Sequence, residues 1–350
     1  MGKQKRREQR VVPVKRPPKT TTSFLDVMKD GNEFQSLLDY LPDNMDFAVE
    51  IKRSLDEISS VRNRPVVCYM ANVLNSKVSG ISIDQSDDLP FTELVRSIPT
   101  EKSDIDVIIV TPGGTADQVS KFVDVLRPRF NNVAFLLPHI AMSAGTIFIM
   151  SGDEILMTPG AYFGPIDPQV VNRHNRYVPA QSLFTLIKYI QDRGDLALAQ
   201  GQNPSWVDVL LVRELDSYDL GCAINASNYS KELVSKFLAN YKFKSWVTHS
   251  SSGHPVTDEQ RIARASEIAH DLCDHDKWKT HSRGINITTA TNDLKLRVTG
   301  VSDVPQIERP MRRFWALMTW IFENTQICKI FISQEYSLFR VQQQVDGGIQ

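Results

Sequence analysis

Residues 105–110, Ile-Asp-Val-Ile-Ile-Val, run directly into Thr111-Pro112-Gly113-Gly114. Residues 133–146, Val-Ala-Phe-Leu-Leu-Pro-His-Ile-Ala-Met-Ser-Ala-Gly-Thr, follow one helix length later, and Gly-Pro-Ile-Asp-Pro-Gln at 164–169 closes the stretch. A run as rich in β-branched residues as 105–110 predicts a strand buried on both faces, as in a parallel sheet. Apolar residues at Val119, Phe122, Val123 and Leu126 repeat at helical spacing and predict a helix over 115–127, closed by Arg127-Pro128. Val133 to Leu137 predicts the next buried strand, so the unit is a βαβ crossover of the right-handed kind. Met142 to Met150 has small residues and then an apolar turn and a half, which predicts a buried helix entered through a tight turn at Ser143. Glu154 to Met157 predicts a third strand, stopped by Pro159-Gly160.

Outward from this core, Val66 to Ala71 predicts an earlier buried strand, preceded by one or two amphipathic helices over 24–60. Helical spacing continues over 181–200, 204–216, 230–243 and 257–273, with Thr257-Asp-Glu-Gln260 as a capped start. Leu294 to Val298 reads as a last strand-like piece ended by Gly300. The expected division is a basic arm over 1–22, one α/β domain over 23–305 with its core at 60–180 and helical cover at 181–275, and a C-terminal helical extension over 306–350. The arm is too polar and Pro-rich to offset its ordering entropy, so it is expected to be disordered, and without an apolar run it does not read as a secretory signal. The run Phe314 to Phe322 falls well short of the ~20 residues of a bilayer span. Peripheral membrane contact stays open.

The chain has 350 residues, 41% hydrophobic and 23% charged, with a formal net charge of −1. That length suffices for a sizeable core. The charge balance argues against a protein that coats nucleic acid, which needs a basic surplus. Four cysteines without CxxC spacing predict reduced thiols in a cytoplasmic protein, with no disulfide frame and no zinc site. Neither a phosphate loop nor HExxH nor clustered metal ligands occur, so no cofactor or metal is expected.

Chemistry points first to Ser143. It follows a buried strand, has small neighbours in Ala144 and Gly145, and opens a buried helix whose first N–H groups are unpaired. The Pro112-Gly113-Gly114 turn brings a second set of backbone donors to the end of the adjoining strand, because glycines permit backbone that directs N–H groups outward. A tetrahedral acyl intermediate needs two such donors. Asp167 sits between two prolines, where an Asp more often forms a turn than does chemistry. His281, beside Arg283, is read as structural or as a residue that orients substrate. His174 lies in a polar loop and reads as solvated. Trp246, Trp278, Trp315 and Trp320 read as packing residues.

Thr-Pro-Gly-Gly at 111–114, Ser-Ala-Gly-Thr at 143–146, Asp-Glu-Ile-Leu-Met at 153–157 and Gly-Pro-Ile-Asp-Pro-Gln at 164–169 together resemble the serine dehydrogenase proteinase family. This family belongs to the Clp/crotonase-fold peptidases, with the ClpP and signal peptide peptidase A groups. The likeness covers roughly residues 60–180, with a weaker one at His281-Ser-Arg-Gly-Ile285. It implies an α/β spiral of βαβ units with additional helices, assembled as a trimer-based or ring homo-oligomer, that hydrolyses peptide or protein substrates. Ser143 would be the nucleophile, with the N–H groups of Gly114 and Ala144 as the oxyanion hole and Gly113 supporting the turn. ClpP-like enzymes use histidine shortly after the third strand, but Gly164 to Asp167 holds none. A lysine, as in the signal peptide peptidase A group, is the alternative: Lys188, at the edge of the apolar stripe Leu183, Leu186, Ile187 and Ile190, or Lys242, whose neighbour Lys244 would serve nearly as well. A rival reading, motivated by the missing histidine, is a non-catalytic Clp-fold protein that binds peptides or assembles partners. Acyl-CoA chemistry of the crotonase kind is a third, disfavoured because it needs no serine at the helix entrance.

Overall fold

The computed structural model describes residues 23–38, 46–171, 177–249 and 252–342. The basic arm and His174 lie outside them. Three helices come first, α1 (Phe24–Val27), α2 (Gln35–Leu38) and α3 (Phe47–Arg62), followed by β1 (Val66–Ala71) and α4 (Asp88–Arg96). The core then alternates as β2 (Asp104–Val110), α5 (Ala116–Leu126), β3 (Asn132–Leu137), β4 (Ile140–Ala141), α6 (Ala144–Ile149), β5 (Glu154–Met157) and β6 (Tyr162–Phe163). A hairpin of β7 (Gln169–Val171) and β8 (Tyr177–Pro179) leads into α7 (Ala180–Ala199), α8 (Trp206–Glu214), α9 (Ser217–Phe237), α10 (Asp258–Cys273), α11 (His275–Trp278) and α12 (Ile287–Asn292). The chain returns through β9 (Thr299–Gly300), α13 (Pro305–Asn324), β10 (Ile327–Ile332) and β11 (Ser337–Val341).

The main sheet has the order β11-β10-β1-β2-β3-β5-β9. Strands β1, β2, β3, β5 and β9 pair in parallel, whereas β10 and β11 join antiparallel at one side. Side chains alternate across it with the two-residue period of a strand. Val67, Tyr69, Val107, Ile109 and Phe135 pack on one face with residues of α4, α5, α6, α9 and α10. Val66, Cys68, Met70, Ile108, Val110 and Leu136 pack on the other with α1, α3 and α13. Both faces are covered, which is why these strands read as unbroken apolar runs.

Three stretches depart from expectation. The C-terminal segment is not helical throughout, because Ile327-Cys-Lys-Ile-Phe-Ile332 inserts as β10 between β11 and β1. Leu294 to Val298 is irregular, since Lys295 takes φ 51, which an extended strand cannot accommodate; the strand is the two-residue β9 that follows. Residues 217–237 form one continuous helix ahead of a π turn at Leu238–Lys242. The α/β class is as expected, and the capped start at Thr257 holds, with its hydroxyl accepting the Gln260 N–H.

Candidate active site

The turn after β2 and the loop after β3 are zipped together. The Thr111 N–H donates to the Ile140 carbonyl at 2.9 Å, and the Met142 N–H donates to the Thr111 carbonyl at 3.0 Å. Gly113, at φ 104, lies against the serine: a Cβ there would stand 2.8 Å from the Ser143 Cβ and 2.7 Å from the Met142 oxygen. Only glycine fits. Gly114, at φ 155, is equally confined, because a Cβ would meet the Ile83 oxygen at 2.0 Å.

Ile83 makes a one-residue parallel ladder with this turn. Its N–H donates to the Gly113 carbonyl at 2.7 Å, and its carbonyl accepts the Thr115 N–H at 3.0 Å. In such a pairing the N–H of the middle residue, Gly114, faces away from Ile83. The Gly113 N–H is occupied by the Thr111 hydroxyl at 3.1 Å. Among the described residues the N–H groups of Gly114 and Ala144 donate to nothing, so two unspent donors flank Ser143.

Ser143 itself has φ 51 and ψ −117, backbone values that an L-residue adopts at a cost of about 1–3 kcal/mol. It occupies the N-cap position of α6, yet its side chain makes no capping hydrogen bond, which leaves the hydroxyl free for other work. The surroundings hold the turn in place. The Thr146 hydroxyl stands 2.8 Å from the Ala141 oxygen and 2.9 Å from the Gly164 oxygen, and accepts the Gly164 N–H at 3.0 Å. This explains why Ser-Ala-Gly-Thr and Gly-Pro-Ile-Asp occur in one chain: the first motif's threonine fastens the second motif's glycine.

Residues 45–196 match the family model described as ClpP-like SDH-type serine proteinase. That match shows the family resemblance read from the sequence. The uncharacterized protein MJ0137 of Methanocaldococcus jannaschii is 30% identical over 146 residues, covering 40% of this chain and 47% of that protein. MJ1495 of the same organism is 36% identical over 90 residues, 26% of this chain and 30% of that protein. The chain thus spans less than half the length of these curated relatives. Among solved structures, a mutant of the membrane-bound stomatin-specific protease 1510-N is 20% identical, covers 38% of this chain and 67% of that one, and gives a TM-score of 0.26. ClpP1 from Listeria monocytogenes is 12% identical, covers 68% of this chain and 90% of that one, and gives a TM-score of 0.34.

Neither of the two lysines has a described contact with Ser143. Lys188 is exposed on α7, and no described contact joins it to Ser143. Lys242 donates to the Asp153 carbonyl at 3.3 Å, in a cluster where Asp153 also pairs with Arg127 at 2.7 Å and Lys244 at 2.6 Å. The Asp153 N–H is bonded to Val133 at the start of β3, whereas Ser143 follows the end of that strand. The rise from Val133 to Leu137 alone separates the two by ~13 Å. Lys242 is part-buried, but at the opposite end of the sheet from Ser143.

Burial pushes the Lys242 ammonium down from its ordinary 10.5 to about 8, with nearby Glu154 and Asp153 opposing and Arg297 assisting. The lysine therefore holds its proton more weakly in the folded than in the unfolded chain, so its destabilising effect is full below pH 8 and fades as pH rises toward 10.5. Lys242→Met is expected to raise stability by ~1–2 kcal/mol at pH 7, allowing for the side chain's partial exposure. Urea unfolding should show that advantage shrinking between pH 8 and 10.5.

The contact that sequence reading missed is at Asp167. It is buried, and its Oδ1 lies 2.8 Å from Nδ1 of His281. The two residues stand 114 positions apart, and no local pattern links them.

Proposed function

We propose that this chain is a serine peptidase that hydrolyses peptide bonds through an acyl-enzyme on Ser143. The observation that carries the reading is the left-handed backbone of Ser143, pressed against Gly113, with two unspent N–H groups beside it. The Ser143 Oγ attacks the scissile carbonyl carbon, the carbonyl electron pair moves onto oxygen, and the N–H groups of Gly114 and Ala144 receive that charge. Gly113 contributes by its absent side chain, which lets the serine turn pack on β2's extension. Losing one oxyanion donor costs ~10²–10³ in rate, so both must be held in place before substrate arrives. The adduct collapses as the C–N bond breaks and the amine leaves with the serine proton; water then hydrolyses the ester, releasing the acid and restoring the hydroxyl, and none of these steps calls for a cofactor. A fluorophosphonate probe should modify the wild-type chain at Ser143, as located by mass spectrometry of its peptides. Modification elsewhere, or none, overturns the reading.

Homo-oligomerisation in the cytoplasm completes the proposal. Trp206, Val209, Leu210 and Val212 are all exposed on α8, an apolar display larger than isolated surface residues account for. Among the described residues no helix is long and apolar enough to cross a membrane. Leu210→Glu is expected to lower the assembly mass in light scattering while leaving the secondary structure of the protomer unchanged by circular dichroism.

A further inference from the structure

Asp167 is 2% exposed, in the segment that follows β6. Its Oδ1 meets Nδ1 of His281 at 2.8 Å, and its Oδ2 has no hydrogen-bond partner, the nearest titratable nitrogen being His275 Nδ1 at 3.6 Å. An ionised carboxylate only accepts, so the His281 proton sits on Nδ1 and the ring lone pair sits on Nε2. Among the described residues Nε2 has no partner. The ring is thus fixed in tautomer by one nitrogen and open to a proton at the other.

The segment bearing His281 is laid beside the serine turn. Ile285 and Phe163 exchange hydrogen bonds at 2.7 and 3.1 Å. A Cβ on Gly164 would meet the Met142 Cε at 2.4 Å and Sδ at 2.9 Å, and the Arg283 oxygen at 3.8 Å. Met142 immediately precedes Ser143, and Thr146, which binds Gly164, lies one turn after it. Arg283 is two residues from His281, ~7 Å of extended chain. A single scaffold, Gly164, therefore touches the serine loop and the histidine segment together.

We infer that His281, oriented by Asp167, is the proton acceptor for Ser143. The inference rests on the peptidase reading above. As the Ser143 Oγ–carbon bond forms, the hydroxyl proton passes to Nε2 of His281; the imidazolium then returns that proton to the departing amine nitrogen as the C–N bond breaks. In deacylation the same nitrogen takes a proton from water and gives it back to the Ser143 oxygen. Asp167 keeps its charge throughout and acts as a positioning residue that steadies the imidazolium. The histidine that ClpP-like enzymes place shortly after the third strand is thus supplied from a late segment, and an aspartate occupies the early position.

The test compares wild type with Ser143→Ala, His281→Ala, His281→Gln, Asp167→Asn and Lys188→Met. It measures the rate of fluorophosphonate capture and the hydrolysis of fluorescently labelled casein, with thermal unfolding of each variant. His281→Ala is expected to slow both reactions by ~10²–10⁴, the usual contribution of a general base, with any residual label still on Ser143. Added imidazole should restore part of that loss in His281→Ala and none in Ser143→Ala, a recovery that a merely structural histidine would not give. Asp167→Asn should lose rate without imidazole rescue. If His281→Ala unfolds, a folded His281→Gln must show the same loss. Retention of activity within about threefold in folded His281 variants, or collapse only in Lys188→Met, overturns the assignment but leaves Ser143 as nucleophile. A wild-type chain that neither labels nor cleaves fails the peptidase reading, and the pair with it.

Discussion

Ser143→Ala is expected to abolish peptide hydrolysis, a fall on the order of 10⁶ in kcat when the nucleophile is lost, and to leave no fluorophosphonate label. Its fold should be unchanged, because the hydroxyl makes no capping bond to α6 and alanine inherits the same φ of 51. Ser143→Gly separates the chemistry from the backbone. Glycine adopts a left-handed φ freely, which relieves ~1–2 kcal/mol of strain, against roughly 0.5–1 kcal/mol for its greater freedom in the unfolded chain. The glycine variant should therefore be equally dead and more stable, by about 0.5–1 kcal/mol in urea unfolding. A chain that gains stability on losing one serine is using that serine for something other than stability. If Ser143→Gly is destabilised, the strained turn has no such role and the argument from its backbone falls.

The strained serine also marks how far the sequence could be read. Val119, Phe122 and Val123 declare α5, and the run from Ile105 to Val110 declares a strand covered on both sides, because in each the apolar period is local. The close approach of the Gly113–Gly114 turn to Ser143 was legible for a similar reason: small residues at two strand ends have few uses, and a tight approach of two backbones is one of them. Lys242 shows the opposite case. Its charged surroundings, Asp153, Glu154 and Arg297, come from two stretches distant from it in the chain, and sequence spacing says nothing about which end of the sheet they meet at. Asp167 and His281 are obscured in the same way, since their contact depends on Phe163 and Ile285 pairing across intervening helices. The strand β10 was hidden by Lys329, a charge in the middle of what is otherwise an apolar run.

That lysine carries the second large effect. Lys329 is fully buried, and its Nζ donates to the Ser82 carbonyl at 2.6 Å and to the Asp87 carboxylate at 2.8 and 2.9 Å. The Tyr69 hydroxyl donates to the same carboxylate at 3.0 Å, and burial together with Asp87 pushes the Tyr69 pKa well above its ordinary range. Ser82 precedes Ile83, the residue that clamps Gly113 and Thr115, so the buried ion pair anchors the one-residue ladder on which the Gly113–Gly114 turn rests. Lys329→Met would strand the Asp87 charge without its main partner; breaking such a pair costs about 3–5 kcal/mol, and Arg340 at 3.3 Å offsets part of it. The expected fall is roughly 3 kcal/mol, about 4 °C in Tm for a chain of this length. Fluorophosphonate capture by the protein that remains folded should slow as well, because a loosened Ile83 no longer fixes the Gly114 N–H. Adding Asp87→Asn to Lys329→Met removes the orphaned charge and should recover part of the stability but not the capture rate, since Ser82 still lacks its donor. Recovery of both together would mean that the ion pair acts on folding alone, and full capture in the single variant would mean that Ile83 holds the turn without it.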